Sequence, residues 1–375
     1  MLNSNLKFLL LVMICLASAC SRAGKSSPND AVPVDIRHAK GLCVSRSDDY
    51  VTVEITDPWN ADKLLQRYIL IERSKSIPEK LPQGTVIRTP IRRLAVYTAV
   101  HAAMIEELDE TQSIIGVCEP DYITLPSIKR GIADGTMADL GMSSSPNIEK
   151  MLDTGVEYII ATPFQNADYG AAGKTGIPII EGADYMEITP LGRAEWIRFF
   201  GLLFCKEAKA DSIFSTTESQ YTELKALVSQ STSNPTVLSE QKYGSSWYVP
   251  GHDSYIANFF RDAGATYLFD DVAGTGSVPL SFETVLDRAI HADIWLIKYN
   301  SLQNKTYREL RGEYSLYEKF DAFKNRNIFT CNTGSKPYYE ESPVHPDYLL
   351  RDYIHIFHPD ILPDYILKYY ERMQE

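Results

Sequence analysis

The chain has 375 residues, a formal net charge of −12 and 44% hydrophobic residues. This hydrophobic fraction is large enough for folded cores, which excludes a chain that is disordered throughout, and the length accommodates two domains of ordinary size. The acidic balance argues against a nucleic-acid-binding protein, because such proteins carry basic patches that contact phosphates.

The first 20 residues have the organisation of an export signal. Lys7 precedes the short apolar run Phe8–Ala17, and the small residues Ala-Ser-Ala stand immediately before Cys20. This pattern resembles a bacterial lipoprotein lipobox, which implies that residues 1–19 are a signal peptide and that Cys20 is lipidated. Acyl chains contribute about 0.8 kcal/mol per buried CH₂ and would hold the protein on the membrane, at the periplasmic side of the cell envelope. An ordinary cleaved signal with an unmodified cysteine is the alternative.

Two segments separate this leader from the main fold. Residues 20–45 are predominantly polar, with serine and proline, and are predicted to be a tether. In residues 46–89, Tyr50–Asp57 alternates between apolar and polar side chains, and Tyr68–Glu72 is a second apolar run. These two runs predict a β-hairpin that precedes the main fold.

From Arg92 onward, short apolar strands alternate with helices. The predicted strands are Leu94–Val96, Ser113–Val117, Val156–Ala161 and Ile177–Ile180. Because they are apolar without alternation, they are typical of a parallel sheet that is covered on both faces. Residues 90–188 are therefore predicted to form a first α/β lobe.

The next segment, residues 189–211, is predicted to be one long linking helix. Thr189 can cap it and Pro190 fits its first turn. Trp196–Cys205 is apolar on nearly every side, so it must be covered on every side, yet it is shorter than the roughly 20 apolar residues of a membrane span. We expect this segment to be packed between two folded halves of the protein and to join them, with Cys205 buried.

Residues 212–375 repeat the strand–helix rhythm and are predicted to form a second lobe. Strands are predicted at Thr236–Leu238, Asp293–Ile297 and Asn327–Cys331; a loop at Trp247–Gly251; and helices at Ser254–Gly264, with Gly264 in the C′ position, and at Leu362–Met373. The expected fold class is α/β: two lobes, each a mainly parallel sheet flanked by helices, joined by one long rigid helix. A ligand cleft is expected between the lobes, beyond the carboxyl ends of the strands.

Similar helix–strand units occur in the two halves. Asn147–Leu152 (NIEKML) precedes Val156–Ala161 in the first half, and Ser281–Leu286 (SFETVL) precedes Ala292–Ile297 in the second. Their order and their spacing across the apolar segment resemble the class III periplasmic binding proteins of ABC importers, which carry vitamin B12, iron siderophores or heme. The resemblance extends from about Leu94 to Pro359. The chain has Gly-Val-Glu at 155–157 where this family usually has Lys-Pro-Asp.

The resemblance implies a protein that captures a cobalamin, ferric siderophore or heme and delivers it to an ABC permease and its ATPase. The residues themselves predict no enzymatic activity and no direct metal site, because G-x-S-x-G and H-E-x-x-H motifs are absent and the seven histidines are scattered; no cofactor is expected. The resemblance also implies that Glu149 and Glu283, one in each lobe, dock onto arginines of the permease. The alternative for these two residues is that they only complement the dipoles of the helices that they open.

Aromatic residues on or near the predicted strand-end loops are the candidate ligand contacts, because an aromatic cleft fits a bulky, partly apolar ligand. They are Tyr97, Tyr122, Phe164, Tyr185, Trp247, Tyr248, Tyr299, Tyr338 and Tyr339. Trp247 and Tyr248 are the preferred pair, because they lie in a stretch rich in serine, glycine and proline. Four cations are candidates to meet an anionic ligand: Arg92, Arg93, Lys298 and Lys336.

Two other classes of function remain open from the sequence. One is a lipoprotein enzyme on the same two-lobe frame, with Asp121 or Asp184 as an acid or base. The other is a surface-anchored sensor that uses the fold without transport. The six cysteines indicate neither a zinc site nor a disulfide framework, since they lack C-x-x-C spacing.

Overall fold

The computed structural model of the protein describes residues 31–166 and 168–375; the predicted signal peptide and Cys20 lie outside them. The first element is a five-stranded sheet in the order β1-β2-β3-β4-β5, antiparallel except between β4 and β5. Its strands are β1 (Val32–Pro33), β2 (Leu42–Arg46), β3 (Val51–Thr56), β4 (Leu64–Glu72) and β5 (Thr85–Thr89). The expected hairpin is present as β3 and β4, within a larger sheet.

The expectation of a tether that extends to residue 45 is wrong. The buried carboxylate of Glu195 accepts hydrogen bonds from the backbone N–H groups of Arg37, His38 and Ala39, at 3.1, 2.6 and 2.9 Å. This segment then continues into β2. The polar composition suggested a solvated linker. The backbone N–H groups of this segment instead donate to a carboxylate about 157 positions away in the chain.

The first lobe is a parallel sheet in the order β12-β11-β6-β7-β8. Its elements are β6 (Leu94–Val96), α1 (Ala99–Glu107), β7 (Ile114–Val117), α2 (Pro126–Ala133), β8 (Ala138–Asp139), β9 (Gly141–Met142), β10 (Ser145–Pro146), α3 (Ile148–Asp153), β11 (Tyr158–Ala161) and β12 (Ile179–Glu181). Helices α1 and α3 begin at the caps Thr98 and Asn147, whose side chains accept backbone N–H groups of the first turn. The parallel sheet of the first lobe is thus confirmed.

The apolar segment after Thr189 forms two short helices, α4 (Pro190–Glu195) and α5 (Ile197–Phe204). Helix α5 is buried between the first lobe and the N-terminal sheet: the ring of Phe199 stacks on Tyr68 of β4 at 6.1 Å, and both belong to the core that contains Leu94. The expectation that this segment lies between the two lobes is therefore wrong. Helix α5 is apolar on every side because the first lobe covers one side and the N-terminal sheet covers the other.

A single helix over residues 189–211 is also wrong. The chain leaves the α-helical conformation at Cys205, which has a left-handed φ of 56° and is exposed rather than buried. A new helix, α6 (Glu207–Val228), then runs for 22 residues, about 33 Å. Phe214 packs in the first core, whereas Tyr221 and Leu224 pack in the second. Helix α6 is therefore the element that spans both cores.

The second lobe has a sheet in the order β16-β13-β18-β19-β20, parallel except for β20, and a small antiparallel sheet β14-β15-β17. Its elements are β13 (Thr236–Ser239), β14 (Lys242–Tyr243), β15 (Ser246–Pro250), α7 (Tyr255–Asp262), β16 (Thr266–Tyr267), β17 (Ser277–Leu280), α8 (Phe282–Ala289), β18 (Ile294–Tyr299), α9 (Tyr307–Glu313), α10 (Asp321–Lys324), β19 (Ile328–Asn332), α11 (Tyr338–Glu341), α12 (Pro346–Phe357) and β20 (Glu371–Arg372). The predicted strands and the C′ position of Gly264, with φ 73°, are confirmed.

Two predictions for the second lobe are wrong. The expected loop at Trp247–Gly251 is strand β15, and the expected helix at Leu362–Met373 is an irregular segment that ends in β20. The buried carboxylate of Asp352 accepts the N–H groups of Lys368, Tyr369 and Tyr370 at 2.8–2.9 Å, which holds this segment out of a helix. Among the described residues, no helix has the length and apolar content that a membrane crossing requires.

Candidate functional site

A cavity of about 660 Å³ lies at the carboxyl end of the second sheet. Glu240 and Gln241 follow β13, Asn300 follows β18, and β15 contributes one wall. Six tyrosines line it: Tyr243, Tyr248, Tyr255, Tyr299, Tyr338 and Tyr339. The location agrees with the expectation that ligands bind beyond the carboxyl ends of parallel strands, and the volume is within the range of small-molecule sites.

Lys298 is the cation on the second-lobe side of the cavity. Its side chain is 15% exposed, and its ammonium donates to a carboxylate oxygen of Glu240. Burial opposes the positive charge, but the neighbouring carboxylate outweighs it, and the pKa of Lys298 is raised above its ordinary value. Lys298 therefore stays protonated at neutral pH as one half of an ion pair.

Arg193 of α4 is the second cation, and it reaches the cavity from the first-lobe side. Its Nε donates to Asp184 at 3.0 Å, and Asp184 also bonds to Nε2 of His101 at 2.9 Å. The guanidinium lies 5.3 Å from the ring centre of Tyr255 in the second lobe. Since Asp184 is 1% exposed and His101 is 0% exposed, the cluster is a buried link between the lobes that fixes Arg193 in place.

Four of the predicted aromatic contacts, Tyr248, Tyr299, Tyr338 and Tyr339, lie together in this cavity. Tyr243 and Tyr255 were missed, because their strand and helix position gave no sequence signal that they face a cleft. The expected placement of Trp247 is wrong: it is 0% exposed, its Nε1 donates to the carbonyl of Ser239 at 2.9 Å, and it packs in the second core. In a strand, neighbouring residues face opposite sides, so Tyr248 and Trp247 cannot both line the cavity.

The predicted contacts of the first lobe do not line this cavity. Tyr97 is buried in a small core on the first sheet, and burial raises the pKa of its hydroxyl. Tyr122 and Phe164 are 70% and 64% exposed, and Tyr185 donates to the carbonyl of Pro163 at 2.9 Å. They stay predictions as ligand contacts.

One contact brings the Tyr122 loop to the second lobe. The N–H group of Thr124 donates to Oε1 of Glu340 at 2.6 Å, and Glu340 is the neighbour of Tyr339 in α11. The loop after β7 therefore lies beside the helix that carries two of the cavity tyrosines.

Glu149 and Glu283 occupy equivalent positions. Each is exposed in the first turn of a helix, α3 or α8, behind a side-chain cap at Asn147 or Ser281. In a parallel sheet with crossover helices, the helix N-termini lie at the carboxyl edge of the strands, which is the edge of the cleft. Among the described residues, neither carboxylate forms an ion pair.

The other candidate cations lie elsewhere. Arg93 donates to the carbonyls of Gly155 and Thr154, Arg92 is exposed, and Lys336 does not line the cavity. Of the four predicted cations, Lys298 lines the tyrosine cavity, whereas Arg92 and Arg93 line a separate cavity of about 450 Å³. Across residues 31–166 and 168–375, no three His, Cys, Asp or Glu side chains converge in the manner of a metal site.

The two acid–base candidates are placed differently. Asp121 is exposed beside the start of α2, and Asp184 is enclosed by His101 and Arg193. A general acid or base must exchange a proton with a substrate within hydrogen-bond reach. Asp184 instead engages the imidazole of His101 with one oxygen and the guanidinium of Arg193 with the other, which is a structural arrangement.

The buried Asp184 cluster predicts a pH-dependent stability. Burial would raise the pKa of Asp184, but Arg193 and His101 outweigh it, and the pKa lies below its ordinary value. A carboxyl whose folded-state pKa is depressed stabilises the fold above its unfolded pKa of about 3.9, and this contribution is lost as the pH falls through the folded value. We expect Asp184→Asn to be less stable than the wild type at pH 7 and to show a shallower loss of stability below about pH 4.

Urea unfolding at a series of pH values measures this difference. Asp211→Asn is the control, because its side chain is 60% exposed, unlike the buried Asp184. It should reproduce the wild-type pH profile. Equal acid sensitivity of Asp184→Asn and the wild type would contradict a charged Asp184 in the folded state.

Comparison with known proteins gives matches over most of the chain. The family model for periplasmic binding proteins matches residues 94–333. A curated relative, an uncharacterized lipoprotein of Methanocaldococcus jannaschii, is 28% identical over 350 residues, which is 87% of this chain and 82% of the relative.

Solved structures match with lower identity and show the fold. A possible iron-binding periplasmic solute-binding protein of Staphylococcus epidermidis has a TM-score of 0.57 and 18% identity, covering 71% of this chain and 98% of its own. IsdE of Staphylococcus aureus, solved in complex with heme, has the same TM-score and identity and covers 71% of this chain and 99% of its own. The family model itself begins at β6, after the N-terminal sheet.

Proposed function

Because this chain belongs to the periplasmic binding protein family, whose members deliver solutes to ABC transporters, we propose that it captures a metal chelate and hands it to a permease. The chelate classes are cobalamin, a ferric siderophore and heme. The protein acts as a binding component, with the chemistry of uptake left to the permease and its ATPase.

The observation that carries this proposal is the tyrosine-lined cavity. Its volume of about 660 Å³ accommodates a bulky ligand, and its six tyrosines offer rigid apolar area with hydroxyl groups at the edge. Three of the rings are accessible to solvent, since Tyr243, Tyr248 and Tyr339 are 81%, 41% and 53% exposed. Such a lining favours a large, partly apolar chelate over a naked ion, which requires converging anionic or imidazole ligands.

A titration tests the proposal. The purified protein is titrated with heme, cobalamin and a set of ferric siderophores, and binding is followed by visible absorbance and by quenching of intrinsic fluorescence. We expect saturable one-to-one binding of one chelate class, with the chelate recovered chemically unchanged. Absence of binding throughout the set, or conversion of a chelate to a product, contradicts the proposal.

Tyr248→Ala should weaken binding of that chelate by about tenfold, because it removes an aromatic face from the cavity wall. The same titration measures the dissociation constant of the variant. Tyr50→Ala is a matched control, since this tyrosine belongs to the N-terminal sheet region and lies away from the cavity. Unchanged affinity in Tyr248→Ala would remove this side chain from the binding surface.

For delivery, the proposal assigns Glu149 and Glu283 to contacts with arginines of the permease. Both are exposed, both lie in a first helical turn at the carboxyl edge of a sheet, and each lobe contributes one. Two separated arginine–carboxylate contacts fix the orientation of the docked protein as well as adding affinity.

Attachment to the membrane through Cys20 is part of the same proposal. It is supported by the sequence around Cys20 and by the lipoprotein name of the Methanocaldococcus jannaschii relative. Labelling of growing cells with a radioactive fatty acid tests it: the wild type should carry the label in the membrane fraction, and Cys20→Ser should not. Equal labelling of the two would contradict attachment at this residue.

A further inference from the structure

Each cation that borders the cavity already has a carboxylate partner. Lys298 donates to Glu240, whose side chain is 26% exposed, and Arg193 donates to Asp184 at 3.0 Å. An adjoining cavity that shares Tyr299 has a third such pair, in which Nζ of Lys305 lies 2.7 Å from Glu313. The positive charges of this surface are thus compensated within the protein.

The remaining lining groups carry no charge at neutral pH. Burial raises the pKa of Tyr255 to about 12, with Arg193 opposing the rise, and burial also raises the pKa of Tyr338. Their hydroxyls therefore stay protonated and act as hydrogen-bond donors. The other polar lining groups are the amides of Gln241 and Asn300 and several hydroxyls. Counted over the described residues of the cavity and their direct partners, the charge is zero.

This compensation has a consequence for charged ligands. A polyanionic ligand would have to draw Lys298 away from Glu240, which would leave a partly buried carboxylate beside the added negative charge. Removing one partner of a buried ion pair is costly, and like charges at short range add to that cost. An uncharged chelate needs only stacking on the tyrosines and hydrogen bonds from neutral donors, so the ion pair stays intact.

We infer that the paired charges of Lys298 with Glu240 and of Arg193 with Asp184 make the cavity select chelates without net charge over polyanionic chelates of similar size. This inference rests on the proposed function, because it specifies the charge class of the chelate that the cavity binds. Glu240 is the residue that determines the preference, since it neutralises Lys298 of strand β18.

The test compares two ferric chelates of similar size in the full-length protein. One is ferrichrome, an uncharged ferric tris-hydroxamate, and the other is a polyanionic ferric tris-catecholate. We expect the wild type to bind ferrichrome at least about tenfold more tightly. The ferrichrome affinity should change little between about 0.05 M and about 0.5 M salt, because an uncharged ligand gains nothing from long-range attraction.

Glu240→Gln should release Lys298 and raise the affinity for the tris-catecholate by about tenfold, with little change for ferrichrome. Glu54→Gln, which makes the same charge change at the pair with Arg67 in the N-terminal sheet, is the control and should alter neither affinity. Unfolding curves confirm that both variants are folded, and the wild-type comparison needs no variant.

Two results overturn the inference, and they are distinguishable. If the wild type binds the tris-catecholate as tightly as ferrichrome or more tightly, charge selection is wrong while the chelate-binding function stands. If the wild type binds no ferric chelate, heme or cobalamin, the proposed function fails together with the inference.

Discussion

Replacing Glu149 and Glu283 together by lysine should abolish uptake of the bound chelate while leaving its dissociation constant in solution unchanged. Both carboxylates are exposed and lie in the first turns of α3 and α8, so reversal of charge there leaves the cavity intact. Like charges placed opposite one another in an interface cost several kcal/mol, which is enough to prevent productive docking. Uptake of a labelled chelate by cells that produce the permease measures the first effect, and titration measures the second.

The control is Glu79→Lys with Glu223→Lys, which changes the net charge equally at exposed positions in the N-terminal region and on α6. This pair should transport normally. Normal uptake by the Glu149 and Glu283 double variant would show that these residues only complement helix dipoles. A parallel loss of ligand affinity would mean that the substitutions disturb the cavity, and would equally count against docking.

Trp247→Ala should lower the free energy of unfolding by about 3–5 kcal/mol. The indole is fully buried, stacks on Trp295 with 5.6 Å between ring centres and meets the edge of Tyr317 at 5.9 Å. Truncation leaves a large cavity in the second core and removes the hydrogen bond to the carbonyl of Ser239. Denaturant unfolding of the variant and the wild type measures the difference.

Tyr248→Ala, one residue further along β15, is the contrasting variant. Its side chain is 41% exposed at the cavity, so we expect a change in stability below about 1 kcal/mol together with weaker chelate binding. The two variants therefore separate the two faces of one strand. A Trp247→Ala protein with wild-type stability and impaired binding would reverse this assignment.

The sequence was sufficient for the elements whose signals are local. Caps such as Asn147 and Ser281 accept N–H groups within their own first turn, and Gly264 stops its helix by adopting a left-handed conformation that glycine allows. Seven strands of the two main sheets were also predicted, because apolar runs covered on both faces show no alternation, whereas the two-residue strands β8, β16 and β20 were not. These local signals, in order along the chain, also carried the resemblance to the family.

The tertiary structure alone decided which side chains meet. The tyrosine cavity depends on the pairing of β15 with β17, which turns Tyr248 toward the cavity and Trp247 toward Trp295. An alternating strand has two faces, and only its partners determine which one is buried.

The same limit explains the linking segment. Its apolar surface correctly indicated the burial of α5. The covering partner is the N-terminal sheet, far away in the chain, and the exposed Cys205 ends the helix before α6 spans the cores. Likewise, the buried link from His101 through Asp184 to Arg193 joins positions 83 and 9 residues apart. Composition and periodicity indicate that a side chain must be buried or paired. Which residue it packs against is determined by contacts between distant parts of the chain, and these contacts also determine the charge and shape of the cavity.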